Sequence, residues 1–211
     1  MSNKKLILAF LPILFLAGLA VFIRVVQYEP LIPKIDEDTE QKTVQVPIFG
    51  EDPITGDRKA RTTIIAFEDF GCESCKQQSD LLSTLLEQYP ESVKIVWKML
   101  PITRYPVDST LSASYAFCAN QQGKFEAFKD YAFENGTNLS ESILKSIAEQ
   151  IELDSTKLET CLASPLPQTH IETTQALAKA LNIQALPTLF INNKQIQTPT
   201  TLDGWRVLLA I

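Results

Sequence analysis

The residues of this chain best suited to chemistry are its four cysteines, and two of them stand close together in Phe67-Glu68-Asp69-Phe70-Gly71-Cys72-Glu73-Ser74-Cys75. A thiolate is a nucleophile and a thiol is not, so what matters is which sulfur can ionise. Thr62, Thr63, Ile64 and Ile65 lead into the motif as a β-branched, apolar run of the kind a buried strand has. Gly71 permits a sharp turn. Beyond the second cysteine, Leu81, Leu82, Leu85, Leu86 and Tyr89 recur at helical spacing, and Pro90 closes the helix. The pair therefore sits where a strand hands over to a helix N-terminus. Residues i and i+3 share a face there, close enough for a disulfide in a small ring. Cys72 falls at the open end, where free N–H groups and the macrodipole favour a thiolate. Cys75 falls one turn deeper and more shielded. One sulfur can attack while the other waits to resolve a mixed disulfide.

Other readings of the pair are weaker. Half a zinc site needs two further ligands, but His170 is the sole histidine and there is no second Cys-x-x-Cys, so no metal is expected. A purely structural bridge across so small a ring is disfavoured. Cys118 and Cys161, 43 positions apart in amphipathic surroundings, invert the weighting. A structural disulfide is favoured there over two free core thiols, and a second redox pair ranks last. Trp97 and Trp205 read as core, His170 as a boundary residue and Asp69 as support for the motif loop.

At 211 residues and 45% hydrophobic content, the chain can bury one core of moderate size and carry an appendage. Lys4, Lys5 and Arg24 are the only charges before Glu29, so the remainder carries 16 basic against 25 acidic residues, a net −9. So acidic a domain is a poor nucleic-acid binder.

Leu6 to Ile23 is uncharged and apolar, long enough at about 1.5 Å per residue to span roughly 27 Å, a bilayer core. The flanking lysines favour a cytoplasmic N-terminus and put the rest outside. An uncleaved signal-anchor over residues 1–26, a transmembrane helix, is favoured over a signal peptide cut after Gly18-Leu19-Ala20. Residues 27–42 read as an acidic, Pro-bearing linker and 43–211 as the folded domain.

Within that domain Val44, Val46 and Ile48 predict a short first strand, followed by a turn-rich stretch over Glu51–Asp57. Arg61–Phe67 predicts the strand feeding the cysteines, and Val93–Met99 a parallel partner reached by a helical crossover. Helical patterning then runs from Leu111 past Phe125 and Phe128 to Ala132, from Glu141 to Ile151 with Ser140 as cap, from Asp154 to Ala163, and over Ile171–Leu181. Leu186–Ile191 predicts a strand, Asn192-Asn193 a hairpin turn, Lys194–Gln197 the return, and Thr200–Ile211 a last helix.

This order resembles the thioredoxin fold with the helical insertion of the DsbA-like oxidoreductases, and is most similar to their secreted or membrane-tethered BdbD-like group. The residues that carry the resemblance are Phe67-x-Asp69-Phe70-x-Cys72-x-x-Cys75, Ala116-Phe117-Cys118-Ala119 with Gln122-Gly123-Lys124-Phe125, Cys161-Leu162, and Ala180-Leu181-x-Ile183 running to Leu186-Pro187-Thr188-Leu189-Phe190-Ile191. It covers roughly residues 44–211, and a Pro-Thr strand more than a hundred residues after Cys-x-x-Cys is what makes it specific. The class it implies is α/β, with an insert at about residues 107–182.

The resemblance implies extracytoplasmic thiol–disulfide exchange: Cys72 is attacked by substrate, Cys75 resolves, and no cofactor is bound. It implies a cis Leu186–Pro187 bond, with Leu186, Pro187 and Thr188 offering main-chain groups to an extended substrate. Implied partners are reduced or unfolded exported proteins and a quinone-linked DsbB- or VKOR-like membrane reoxidant, the chain itself acting as a membrane-tethered monomer. Disulfide donation is the leading direction. A reductase or isomerase is the alternative, and a tethered binding or chaperone module without redox turnover is a third reading. Two departures stand out. Relatives commonly place a carboxylate six residues before the first cysteine, where this chain has Ala66; Glu68, on the same strand face, is the candidate substitute. The intervening pair is Glu73-Ser74, and a carboxylate beside Cys72 disfavours the thiolate, so a milder oxidant than DsbA is expected.

Overall fold

A computed structural model describes residues 15–22 and 45–211, the latter lying within one compact unit over 41–211. Residues 15–22 are helical. Most of the expected membrane span Leu6–Ile23, and the whole linker 27–42, lie outside the described residues. Among the described residues no helix is long and apolar enough to cross a membrane.

The domain is built on a five-stranded mixed sheet: β1 (Ile54–Gly56), β2 (Thr62–Glu68), β3 (Val93–Met99), β4 (Thr188–Ile191) and β5 (Lys194–Ile196), in the order β1-β3-β2-β4-β5. β2 is central. It pairs parallel with β3 (Ile64 opposite Ile95) and antiparallel with β4 (Ala66 opposite Leu189). Helix α1 (Glu73–Gln88) makes the β2–β3 crossover. Between β3 and β4 come α2 (Thr110–Gln121), α3 (Phe125–Asn135), α4 (Glu141–Gln150), α5 (Ser155–Ala163) and α6 (Leu166–Ala180); α7 (Leu202–Leu209) ends the chain.

Both sheet faces are covered, which is why β2 and β3 read as nearly continuous apolar runs rather than alternating ones. On one face Ile64, Ala66, Ile95, Trp97 and Leu189 join α1 and the helical insert in the main core. On the other, Ile65, Phe67, Val96 and Phe190 meet Ala178 of α6. That second face also holds a buried ion pair, Lys98 with Asp52, whose other oxygen lies 3.5 Å from His170 Nε2. His170 packs between Phe49 and Phe117.

Several elements fall where expected. Asp154 caps α5 by accepting the Lys157 N–H at 2.9 Å. Asn192 and Asn193 both take positive φ, as a two-residue hairpin requires. The first strand does not. Residues 45–49 form no strand, and β1 is Ile54–Gly56, inside the stretch read as a turn. Val46 is instead buried by a hydrogen bond from its N–H to Asn193 Oδ1 and by the second core. β1 ends at Gly56, whose φ of +86° and tight approach to Val93 exclude a side chain; the glycine that signalled a turn is a strand end pressed on its neighbour. Ser140 occupies the N-cap position of α4 but makes no capping bond, its hydroxyl pairing with Ser142.

The insert is tied internally. Buried Cys118 of α2 and half-buried Cys161 of α5 are joined as a disulfide, with Cα atoms 5.8 Å apart. A closed loop of this length restricts the unfolded chain by about 4 kcal/mol on the chain-entropy model. The double change Cys118→Ala/Cys161→Ala is therefore expected to lower the unfolding free energy by about that amount in denaturant titration while leaving Cys72 as reactive towards alkylating agents as before. A stability equal to the parent's, or a slower Cys72, is the contrary result.

Candidate active site

β2 ends at Glu68, and the chain reaches α1 through Asp69-Phe70-Gly71-Cys72. Asp69, almost fully buried, organises this junction. Its Oδ1 accepts the Gly71 N–H at 2.9 Å. Its Oδ2 accepts the Ile102 and Thr103 N–H groups at 2.8 and 2.6 Å and the Ser109 hydroxyl at 3.0 Å. One carboxylate thus ties the cysteine loop to the loop after β3. The approach is so close that a side chain at residue 71 would strike Thr103 at 2.7 Å, which is why glycine is needed there.

Cys72 is the N-cap residue of α1, with extended backbone. Its sulfur stands where a capping oxygen would, accepting the Cys75 N–H at 3.2 Å. Charge on that sulfur is stabilised by the same N–H and by the helix end. Cys72 is half-exposed and Cys75 wholly buried; the two form a disulfide with Cα atoms 5.2 Å apart. Glu73, exposed, lies in the first helical turn, and Ser74 Oγ is 3.2 Å from Cys72 Sγ.

The second wall comes from the far end of the sequence. The Leu186–Pro187 bond is cis. The Leu186 carbonyl oxygen lies 3.9 Å from Cys72 Sγ and accepts the Ser74 hydroxyl at 3.3 Å. Thr188, buried at the start of β4, donates its hydroxyl to the Ala185 carbonyl at 2.7 Å. Antiparallel pairing of Thr188 with Phe67 brings this loop to the cysteines. The Leu186 carbonyl is thus engaged within the chain.

Glu68 is fully buried, on the sheet face that carries Ala66, and neither carboxylate oxygen has a hydrogen-bond partner. Burial pushes its carboxyl well above the usual range; Lys129 pulls the other way and Asp80 adds to the rise. Lys129 is a buried charge that sequence reasoning missed. The signal was there: with Phe125, Phe128 and Ala132 it occupies the apolar stripe of α3, where a lysine is out of place.

A sulfur pair presented at a helix N-cap, one atom accessible beside a cis-proline loop and one buried behind it, defines a thiol–disulfide oxidoreductase. The thioredoxin family model matches residues 49–210, and the chain belongs to that family. Disulfide bond formation protein D of Bacillus subtilis is 25% identical, over 81% of this chain and 80% of its own. The Na(+)/H(+) antiporter NhaA 3 of Salinispora tropica is 28% identical over 76% of this chain, which spans only 25% of the antiporter. Among solved structures, a thioredoxin-like oxidoreductase from Silicibacter pomeroyi superposes with a TM-score of 0.69 at 23% identity, covering 77% of this chain and 92% of that one.

A carboxyl with a raised folded pKa contributes stability that is complete below its unfolded value, about 4.3, and is lost as pH rises through the folded value. Glu68→Gln is therefore expected to raise the unfolding free energy by on the order of 1 kcal/mol or more at about pH 8, and to leave it nearly unchanged at about pH 4. Urea titration at both pH values checks this; a loss of stability at the higher pH contradicts it.

Proposed function

We propose that this chain donates disulfides to exported proteins on the extracytoplasmic side of a membrane that its N-terminal segment anchors. The single observation that carries the reading is the asymmetry of the pair: half-exposed Cys72 beside the Leu186 carbonyl, Cys75 sealed behind it.

The steps follow from that asymmetry. An extended, reduced substrate lies along the Leu186–Thr188 loop, and its thiolate attacks Cys72 Sγ in line with the Cys72–Cys75 bond. A substrate–Cys72 disulfide forms and Cys75 leaves as a thiolate. Glu68, protonated in its buried site, gives Cys75 the proton. A second substrate thiolate then attacks the substrate sulfur of the mixed disulfide and releases Cys72. The substrate loses two electrons and the pair gains them, so a reoxidant is required. A quinone-linked membrane protein of the DsbB or VKOR type fits that need, and a monomer suffices for every step.

A reductase or isomerase is the second reading, favoured by Glu73, whose exposed carboxylate stands one residue from Cys72. Negative charge there opposes the thiolate and weakens the pair as an oxidant.

Two experiments test these readings. Cys75→Ser is expected to accumulate mixed disulfides on non-reducing gels when its Cys72 thiolate attacks a polypeptide disulfide, one polypeptide sulfur staying on Cys72 and the other leaving as thiolate, and Cys72→Ser to form none; a chain that only binds its clients gives no adduct with either. Glu73→His is expected to raise the reduction potential of the pair by tens of millivolts, about 30 mV for each ~1.4 kcal/mol of thiolate stabilisation. A potential in glutathione buffers that stays put or falls excludes Glu73 as the determinant.

A further inference from the structure

Cys72 has a second neighbour besides the Leu186 loop. It lines a cleft of about 170 Å³ between the first turn of α1 and the C-terminal end of α3, and the Leu186–Thr188 loop has no part in it. Small-molecule sites usually start near about 300 Å³, so this cleft takes a single side chain. Its floor is aromatic: Phe70 and Phe133, both buried, with ring centroids 4.9 Å apart. Its rim is anionic. Glu73 and Glu134 line it, and both are exposed. Among the described residues neither pairs with a cation. Glu73 accepts only the Gln77 side-chain amide, at 3.5 Å, and Lys76, the cleft's own lysine, turns along its helix to Asp80, 3.6 Å away. The last turn of α3 carries no basic residue against the negative end of the helix macrodipole. Asn135 Nδ2 donates to the Tyr131 carbonyl at 2.8 Å, which leaves its Oδ1 as a further acceptor. The mouth is open, because a side chain at Gly136 would meet nothing within 4 Å. Rings below and carboxylates above suit a long cationic side chain, whose stem lies on apolar surface while its head carries charge. An aliphatic side chain would use the floor alone, and an acidic one would meet like charge.

We propose that this cleft selects polypeptides with a lysine or arginine beside the cysteine that exchanges with Cys72, and that Glu134 is its specificity-determining residue. The inference rests on the disulfide-exchange reading and adds to it the class of substrate. That chemistry holds a polypeptide at Cys72 Sγ. In an extended chain the next residue is only about 3.4 Å further along, so a side chain flanking the substrate cysteine reaches a cleft that Cys72 itself lines. Glu134 belongs to α3 and Glu73 to α1, so both walls carry negative charge. The acidic balance of the whole chain, net −6, acts in the same direction at longer range. Glu73 also acts on the neighbouring sulfur, whereas Glu134 stands on the helical insert, apart from the cysteine motif. The insert thereby helps to choose the side chain, while the loop before β4 faces the main chain.

The test compares three dithiol peptides that differ only in having lysine, alanine or glutamate on both sides of one cysteine. The oxidised full chain takes two electrons from each: the peptide thiols close into a disulfide as Cys72–Cys75 opens, so no other reagent is needed. Each second-order rate constant is divided by that peptide's rate with an uncharged small disulfide, which removes the effect of lysine on the peptide's own thiol. The corrected lysine-to-glutamate ratio is expected to be about tenfold in the parent, to fall about threefold in Glu134→Gln, the size of one exposed ion pair, and to reach about one or less in Glu134→Lys. The preference is expected to shrink in about 1 M salt, where the screening length is about 3 Å. A second readout needs no transfer. In Cys75→Ser, the Cys72 thiolate attacks an alkyl methanethiosulfonate, forming a mixed disulfide and releasing methanesulfinate; the cationic reagent is expected to react faster than the anionic one, and Glu134→Gln to narrow that gap about threefold. A parent ratio near one, a ratio that Glu134 does not move, or a loss in Glu134→Gln shared equally by all three peptides overturns the inference. A chain that oxidises none of the peptides removes the exchange reading instead, and the methanethiosulfonate pair still decides whether the cleft prefers a cation.

Discussion

The structure depends on one hydrogen bond at one helix end. Cys72 occupies the N-cap of α1, and its sulfur rather than a side-chain oxygen accepts the N–H of Cys75, the third residue of the helix, which the Cys72 carbonyl also accepts at 3.1 Å. A helix N-terminus must satisfy its orphan donors somehow. Doing so with a sulfur makes capping and thiolate stabilisation the same interaction, so the fold's own requirement tunes the chemistry. Everything near the site serves to hold that sulfur in place. Central β2 aims the loop, Asp69 ties it to the segment after β3, and β4 delivers the Leu186 carbonyl across the opening.

The core beneath reflects a second constraint. A dithiol that opens and closes must trade protons, yet Cys75 is sealed from water. Charge also lies inside the hydrophobic core, at positions where propensity and patterning would put leucine. Glu68 interrupts the apolar face of β2, and Lys129 interrupts the apolar stripe of α3. Lys129 enters this core because the insert packs α3 against α1 and β3, which sets its ammonium beside Ser79 and over the Trp97 ring. Polar groups so placed lower stability unless each is satisfied, and the hydroxyls of Ser79 and Ser83 do that for the ammonium.

Much of this was legible in the sequence. Strand, Cys-x-x-Cys, helix and parallel strand follow from local patterns, because buried parallel strands and amphipathic helices write their periods directly into the chain. The order of helices in the insert was readable for the same reason, as were the Asn192-Asn193 hairpin and the Asp154 cap. β1 was not. Three residues at a sheet edge carry too little pattern to outweigh the Glu51–Asp57 turn signals, while Val46 and Ile48 alternate as a strand does without finding a partner. Within the site, the sequence points to Cys72, Cys75 and Pro187, and to Glu68 as a carboxylate displaced by two residues. It does not show that Ser74 occupies the Leu186 carbonyl, nor that Lys129 faces the cysteine helix. Those are contacts between distant segments, set by packing rather than by any local period.

The central claim is that the two sulfurs of one motif are chemically unlike because one caps a helix in view of solvent and the other lies sealed beneath it. The most direct measurement is the alkylation rate of each thiol in the reduced full chain at neutral pH, resolved site by site by mass spectrometry. The account predicts that Cys72 is modified faster than Cys75 by on the order of a hundredfold or more, with a rate that levels off at a pH below the ordinary thiol range of about 8.5. Equal rates at the two sites, or a faster Cys75, would contradict it.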